Sequence, residues 1–202
     1  MILHRIGSGF GPELGQSLVA AETAPHGEAG FLISADDDPF LGDLRAPVTI
    51  VAFSDFTCSH CREARQTLDR VLPGYGDRVR LVYRDFPLQA PGSPSFTAAL
   101  AAECADEQGA YWEMQRLLFE NQPHFDWASV RRYARGLSLN EEQFDDCLEN
   151  ERFRQEILDD QADGQAYGVT GTPTFFVNGR RYEGSISDLV FQQAIEDALS
   201  RG

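Results

Sequence analysis

Apolar and polar positions alternate in two different rhythms along this chain, and a long helical stretch separates two strand-bearing ones. Val48-Thr49-Ile50-Val51-Ala52-Phe53 is β-branched and nearly continuous in apolar character, which predicts a strand buried on both faces. A helical period follows: Cys61, Ala64, Leu68, Val71 and Leu72 fall on one face, and Pro73-Gly74 closes the helix. Val79-Arg80-Leu81-Val82-Tyr83 reads as the next strand, giving a β–α–β unit with Cys58 at its strand-to-helix turn. From Pro94 to Tyr167 the period is helical, with one stripe of Phe96, Leu100 and Cys104 and another of Tyr111, Met114 and Leu118. Asn140 is placed to cap a helix with Gln143 reaching back, and Leu139 and Phe144 form the staple around that start. Thr174-Phe175-Phe176-Val177 is a strand, Asn178-Gly179 a strong hairpin signal, and Arg180 to Gly184 the returning strand. Ser187 caps a last helix whose inward positions are Val190, Ala194, Ile195, Ala198 and Leu199. The order is therefore β–α–β, about four or five helices, then β–β–α, an α/β fold with an all-helical insertion between its halves.

These patterns divide the chain into residues 1–37, 38–92, 93–167 and 168–202. The first is expected to be a flexible or loosely packed leader, although Gly30 to Ser34 has the composition of an edge strand. Residues 38–92 and 168–202 should form one domain, and residues 93–167 the helical insertion domain.

Composition narrows the partners. The 202 residues carry a formal net charge of −15, and all 17 basic residues are arginine. A surface so acidic is repelled by phosphate backbones and anionic lipid, which disfavours nucleic-acid partners and membranes. The longest apolar run, Val48 to Phe53, is far short of the roughly 20 residues that cross a bilayer, so no membrane insertion is expected. The first 30 residues lack the basic start and the apolar core of about 7–15 residues that mark a secretory signal. A cytoplasmic location follows for the chain as given; a periplasmic or other extracytoplasmic one follows if a leader was trimmed.

Cys58 and Cys61 carry the candidate chemistry. A cysteine at the first turn of a helix faces unpaired N–H groups and a partial positive charge, which stabilise its thiolate. His60, when protonated, adds to that effect, and Ser59 completes the intervening dipeptide. Cys61, one turn further in, is placed to resolve a mixed disulfide formed at Cys58. The competing account is half of a zinc site, but no second Cys-x-x-Cys or Cys-x-x-His supplies the other ligands, so neither metal nor other cofactor is expected. If these effects lower the Cys58 pKa from about 8.5 to about 4.5, the reduced form gains roughly 3.4 kcal/mol at neutral pH, or some 70 mV toward oxidising behaviour. Gly171-Thr172-Pro173-Thr174 opens the second strand pair. Pro173 there is either a strand-entry device or, with a cis bond, a means of exposing the Thr172 backbone to an extended substrate.

Four segments in this order resemble the DsbA-like thioredoxin-fold thiol–disulfide oxidoreductases: Phe53 to Cys61, Tyr83 to Leu88, Gln108 to Trp112, and Gly168 to Gly179. The resemblance runs from about Asp38 to the C-terminus. It implies a thioredoxin fold carrying the helical insertion, Cys58 as nucleophile, Cys61 as resolving thiol and Pro173 as cis-proline. The low thiol pKa and oxidising potential used above are those of DsbA itself. Two departures stand out. Ser59 occupies a position where the best-known member has proline, and Ala52, six residues before Cys58, replaces a buried acid that many relatives use to move the proton of the second thiol.

The resemblance implies protein or peptide thiols and disulfides as substrates and a redox partner that resets the dithiol. A dithiol oxidase is the leading function, a reductase or isomerase on the same scaffold the second, and a non-catalytic chaperone or binding module the third. Cys104 and Cys147 are either two buried free thiols or, as in some relatives, a disulfide stapling the insertion. His4, His26 and His124 stand alone; Asp55 and Asp85 are either residues that reach the active-site edge or, more simply, strand-end turn residues. Trp112, Phe119, Phe125 and Trp127 are expected in the insertion's core, with some of them free to line a substrate groove.

Overall fold

A computed structural model of the chain describes residues 38–201. The leader, the Gly30 to Ser34 segment, His4 and His26 lie outside the described residues. Five strands form one mixed sheet in the order β1-β3-β2-β4-β5. They are β1 (Phe40–Leu41), β2 (Val48–Ser54), β3 (Val79–Asp85), β4 (Thr174–Val177) and β5 (Arg180–Glu183). β2 and β3 run parallel, joined through α1 (Ser59–Val71), and β4 lies antiparallel on the other side of β2. Five helices connect β3 to β4: α2 (Pro94–Asp106), α3 (Tyr111–Glu120), α4 (Trp127–Gly136), α5 (Glu141–Glu149) and α6 (Arg154–Ala166). Helix α7 (Asp188–Leu199) closes the chain.

The alternation along the central strand explains the layering. Val48, Ile50 and Ala52 face a large core shared with α1, α7 and the connecting helices, while Val51 and Phe53 face a smaller one with Val82, Phe86, Val169 and Phe176. Burial on both faces is what the apolar run of β2 requires. The Asn178-Gly179 turn has both residues at positive φ, 44° and 83°, as the tight hairpin between β4 and β5 demands.

Several positions differ from the sequence pattern. Strand β3 runs on through Arg84 and Asp85, because Arg84 is paired with Asp160 at 2.6 Å and Asp163 at 3.0 Å, while the Asp85 N–H donates to Asp160 at 2.7 Å. At the start of α5 the Gln143 N–H donates to the Asn140 side chain at 3.0 Å as expected. The Asn140 N–H, however, is taken by Gln108 at 2.7 Å rather than by Gln143. In α7 the Ser187 cap and the inward Ala194, Ile195 and Ala198 stand as expected, but the first inward residue is Phe191, three and four positions before Ala194 and Ile195, and Val190 is 39% exposed. Trp127 lies outside the insertion's core, and Trp112 is only partly buried at its edge, against Tyr83 and Tyr111. Trp112 donates to the Phe40 carbonyl at 3.2 Å under the Arg65 guanidinium, and Trp127 is 41% exposed beneath Arg131. Cys104 and Cys147 form a disulfide between α2 and α5.

Helix α6 reaches the smaller core through Gly164. A Cβ there would sit 2.7 Å and 2.8 Å from the Phe86 ring and 3.0 Å from Phe53. Gly164→Ala is therefore expected to cost about 1–3 kcal/mol in overpacking, offset by about 1 kcal/mol of helix propensity. The measured result should be a lower thermal midpoint; an unchanged or raised midpoint would show that α6 can move off the sheet freely.

Candidate active site

The turn between β2 and α1 is built around a buried carboxylate. Asp55 accepts from the Thr57 N–H at 2.6 Å, the Thr57 hydroxyl at 2.8 Å and the Leu88 N–H at 2.8 Å. Its carbonyl accepts the Cys58 N–H at 3.1 Å, which sets Cys58 at the N-cap of α1 with extended backbone angles. Phe56 anchors the same turn, its ring 5.0 Å from Phe119 and 5.7 Å from Tyr83. From the loop between α3 and α4, the Gln122 amide donates to the carbonyls of Phe56 and Cys58, the latter at 3.1 Å.

Cys58 and Cys61 are both free thiols, and their surroundings differ sharply. Cys58 is partly exposed, whereas Cys61 is 2% exposed. The Cys58 pKa is lowered to about 5, chiefly because the Cys61 thiol donates toward its sulfur; burial opposes this, and the Cys61 and His60 amides and Thr172 reinforce it. Burial, then the Cys58 sulfur, pushes the Cys61 thiol far up, with Ser54 and Thr172 counteracting in part. Two thiols three residues apart thus become one ready thiolate and one protonated reserve.

Thr172 and Pro173 come to the same place from the other half of the sheet. The Thr172–Pro173 bond is cis, and the Thr172 carbonyl lies 3.5 Å from the Cys58 sulfur. Ser59 and His60 sit exposed in the first turn of α1. The His60 ring is turned to Glu63, Nδ1 to Oε2 at 3.4 Å, so it is the backbone amide of His60 that faces the Cys58 sulfur. Cys104 and Cys147 lie apart, fully buried between α2 and α5. Among the described residues no group of His, Cys, Asp or Glu has the makings of a metal site.

Of the two acids that the sequence allowed at the site's edge, Asp55 holds the turn that carries Cys58; Gln122, Ser54 and Tyr83 were not among the residues the sequence singled out. Gln122 carries no signal, being a loop amide 64 residues from Cys58. Ser54 and Tyr83 have a weak one, as hydroxyl-bearing residues at core-facing positions of β2 and β3.

A family model described as Thioredoxin matches residues 34–197. The chain is similar to a thioredoxin-like oxidoreductase from Silicibacter pomeroyi DSS-3, at 31% identity and a TM-score of 0.73 over 81% of this chain and 92% of that one. It is also similar to oxidised BdbD from Bacillus subtilis, at 25% identity and a TM-score of 0.74 over 83% and 95%. The chain belongs to the DsbA-like thiol–disulfide oxidoreductases of the thioredoxin family. Its sheet with flanking helices is the thioredoxin fold, and the five helices between β3 and β4 are the helical insertion of DsbA-like members. Among curated relatives, the Na(+)/H(+) antiporter NhaA 1 of Mycobacterium sp. (strain KMS) is 36% identical over 154 residues, 75% of this chain and 25% of the antiporter. The chain thus spans about a quarter of the length of such relatives. Among the described residues no helix is long and apolar enough to cross a membrane.

Proposed function

We propose that this DsbA-like oxidoreductase is a dithiol oxidase that donates a disulfide to protein or peptide substrates through a mixed disulfide at Cys58. The observation that carries this reading is the asymmetry of the two thiols, one held near pH 5 and reachable, the other buried and pushed far up. In the oxidised form a substrate thiolate attacks the Cys58 sulfur. The Cys58–Cys61 bond breaks, Cys61 leaves with the electron pair and takes up a proton, and a Cys58–substrate disulfide forms. A second substrate thiolate then displaces Cys58, which leaves as the stabilised thiolate. The substrate has lost two electrons and the protein has gained them; a redox partner must take them back. The backbone of Thr172, beside Cys58, is placed to pair with an extended substrate segment. A thiolate this stable makes a good leaving group and a poor reductant, which disfavours the reductase and isomerase alternatives.

The location fits an oxidising compartment. A fully buried Cys104–Cys147 disulfide supports the extracytoplasmic alternative over the cytoplasmic one.

Alkylation of Cys58 followed against pH is expected to show a midpoint near 5. Cys61→Ser is expected to accumulate a mixed disulfide at Cys58 when a peptide is supplied as its intermolecular disulfide, the other peptide leaving as a thiol, while Cys58→Ser captures none. A midpoint near that of an ordinary thiol, about 8.5, would remove the basis of the oxidase reading.

A further inference from the structure

Both sulfurs belong to the β2–α1 turn and α1, yet the helical insertion reaches that turn at two points. The Phe119 ring of α3 packs 5.0 Å from the Phe56 ring, and Phe119 also walls the cavity beside Cys61 with Ala52, Ser54 and Tyr83. The second point is the Gln122 amide, which donates to the carbonyls of Phe56 and Cys58. The Phe56 carbonyl lies between β2 and α1, and among the described residues no backbone N–H donates to it. The Cys58 carbonyl also accepts the Arg62 N–H, at a longer 3.3 Å.

The loop that presents Gln122 is itself held in place. The Asn121 side chain donates to the Leu117 carbonyl at 2.8 Å, and the His124 N–H to the Asn121 carbonyl at 2.9 Å. The Tyr133 hydroxyl of α4 donates to the His124 carbonyl at 2.9 Å, and Phe125 is buried. A donor carried on a fixed loop holds its acceptors in place instead of following them. The direction of the Cys58 carbonyl is set by the ψ angle of Cys58, 120° here. Rotation about ψ turns that carbonyl, and all of α1 after it, relative to the Cys58 side chain. Holding the carbonyl therefore fixes where the sulfur stands against the Cys61 thiol and the Cys61 and His60 amides, the groups that stabilise its thiolate. Hydrogen bonds to that charge weaken steeply as their angle is lost.

We propose that Gln122 is a positioning residue for the exchange, a clamp from the helical insertion that keeps the Cys58 sulfur over the first turn of α1 and within reach of Cys61. The idea rests on the Cys58–Cys61 exchange described above. In the dithiol form the clamp holds the thiolate against its donors. In a mixed disulfide it holds the Cys58 sulfur where Cys61 can attack. Cys61 then gives its proton to solvent, the Cys58–Cys61 bond forms, and the partner leaves as thiolate with the electron pair of the broken bond.

The test compares the full chain with Gln122→Met, which keeps the length and bulk of the side chain and removes both donated hydrogen bonds. The Cys58 alkylation midpoint, expected near 5 in the parent, should rise to about 6 in the variant. With a thionitrobenzoate group joined to Cys58 as a mixed disulfide, its release by Cys61 should slow about tenfold. An unfolding midpoint on the same samples separates the two roles open to Gln122. A variant that is only less stable, with the parent's alkylation midpoint and release rate, would overturn the clamp and leave the oxidase reading standing. An alkylation midpoint of an ordinary thiol in the parent would instead overturn the oxidase reading. A measurement on the parent alone guards against a variant that fails to fold. The NMR resonances of the Gln122 side-chain amide should move with the Cys58 titration, and resonances that do not follow it overturn the clamp as well.

Discussion

Replacing Cys104 and Cys147 together by alanine is expected to lower the unfolding free energy by about 4 kcal/mol. The bond joins α2 to α5 across a separation of 43 residues, so it removes the closure entropy of a long loop from the unfolded chain. Both residues are fully buried, and truncating them also strips packing from the core that α2 shares with α4 and α5. Against a typical total of about 5–15 kcal/mol, such a loss leaves little margin. Urea unfolding of the double variant and the parent, both with Cys58 and Cys61 reduced, reads the difference as a fall in midpoint. The pH curve of Cys58 alkylation should not move, because every group acting on that sulfur belongs to the β2–α1 turn, α1 or Thr172. An unchanged unfolding midpoint would mean that α2 and α5 are held together without the bond.

The sequence carried the parts of this fold whose causes are local. A β-branched run marks β2, positive-φ residues mark the hairpin at Asn178-Gly179, and three- and four-residue spacing marks the buried face of α1. Where a partner from elsewhere decides the outcome, periodicity was silent. Strand β1 is two residues long and owes its place to pairing with β3, so no alternation could announce it. Arg84 and Asp85 look like the polar end of a strand until Asp160 arrives from α6. Gln108 displaces Gln143 at the α5 cap because the α2–α3 connection lies against that helix start, a tertiary fact no capping rule contains.

The candidate site divides the same way. Cys58 and Cys61 follow from spacing on a helix start, and Thr172 and Pro173 from their turn and the family resemblance. The asymmetry between the two thiols is not a property of the motif. It comes from the depth at which α1 lies on the sheet, which exposes one sulfur and buries the next. The motif sets His60 beside Cys58, yet the rotamer sends the ring to Glu63, and the lowering comes instead from the Cys61 thiol and backbone amides. Ser54 and Tyr83 meet Cys61 or its cavity only because β2 and β3 pair in register, Ala52 opposite Tyr83 and Ser54 opposite Asp85.

The dithiol form is expected to be more stable than the disulfide form around neutral pH, by an amount that depends on pH in a defined direction. Cys58 titrates near 5 in the folded protein and near 9.0 as a free group. A folded-state pKa that is depressed contributes stability above the unfolded value and loses it as pH falls through the folded one. The advantage of the dithiol form should therefore grow from pH 5 to pH 9. At pH 7 the shift amounts to about 2.7 kcal/mol, which solvent screening of a half-exposed sulfur reduces to about 1–2 kcal/mol, or roughly 20–45 mV. Cys61 acts in the opposite sense at high pH: its raised value means that stability is lost once an unfolded thiol would ionise, so the gain should level off above pH 9. Between these limits the reduced pair holds one proton, and its potential should fall by about 30 mV per pH unit rather than the roughly 60 mV of an ordinary dithiol. Equilibration with glutathione from pH 5 to pH 8 measures that slope directly. A slope near 60 mV across this range would mean that both thiols stay protonated, and with it the preference for giving the disulfide away would go.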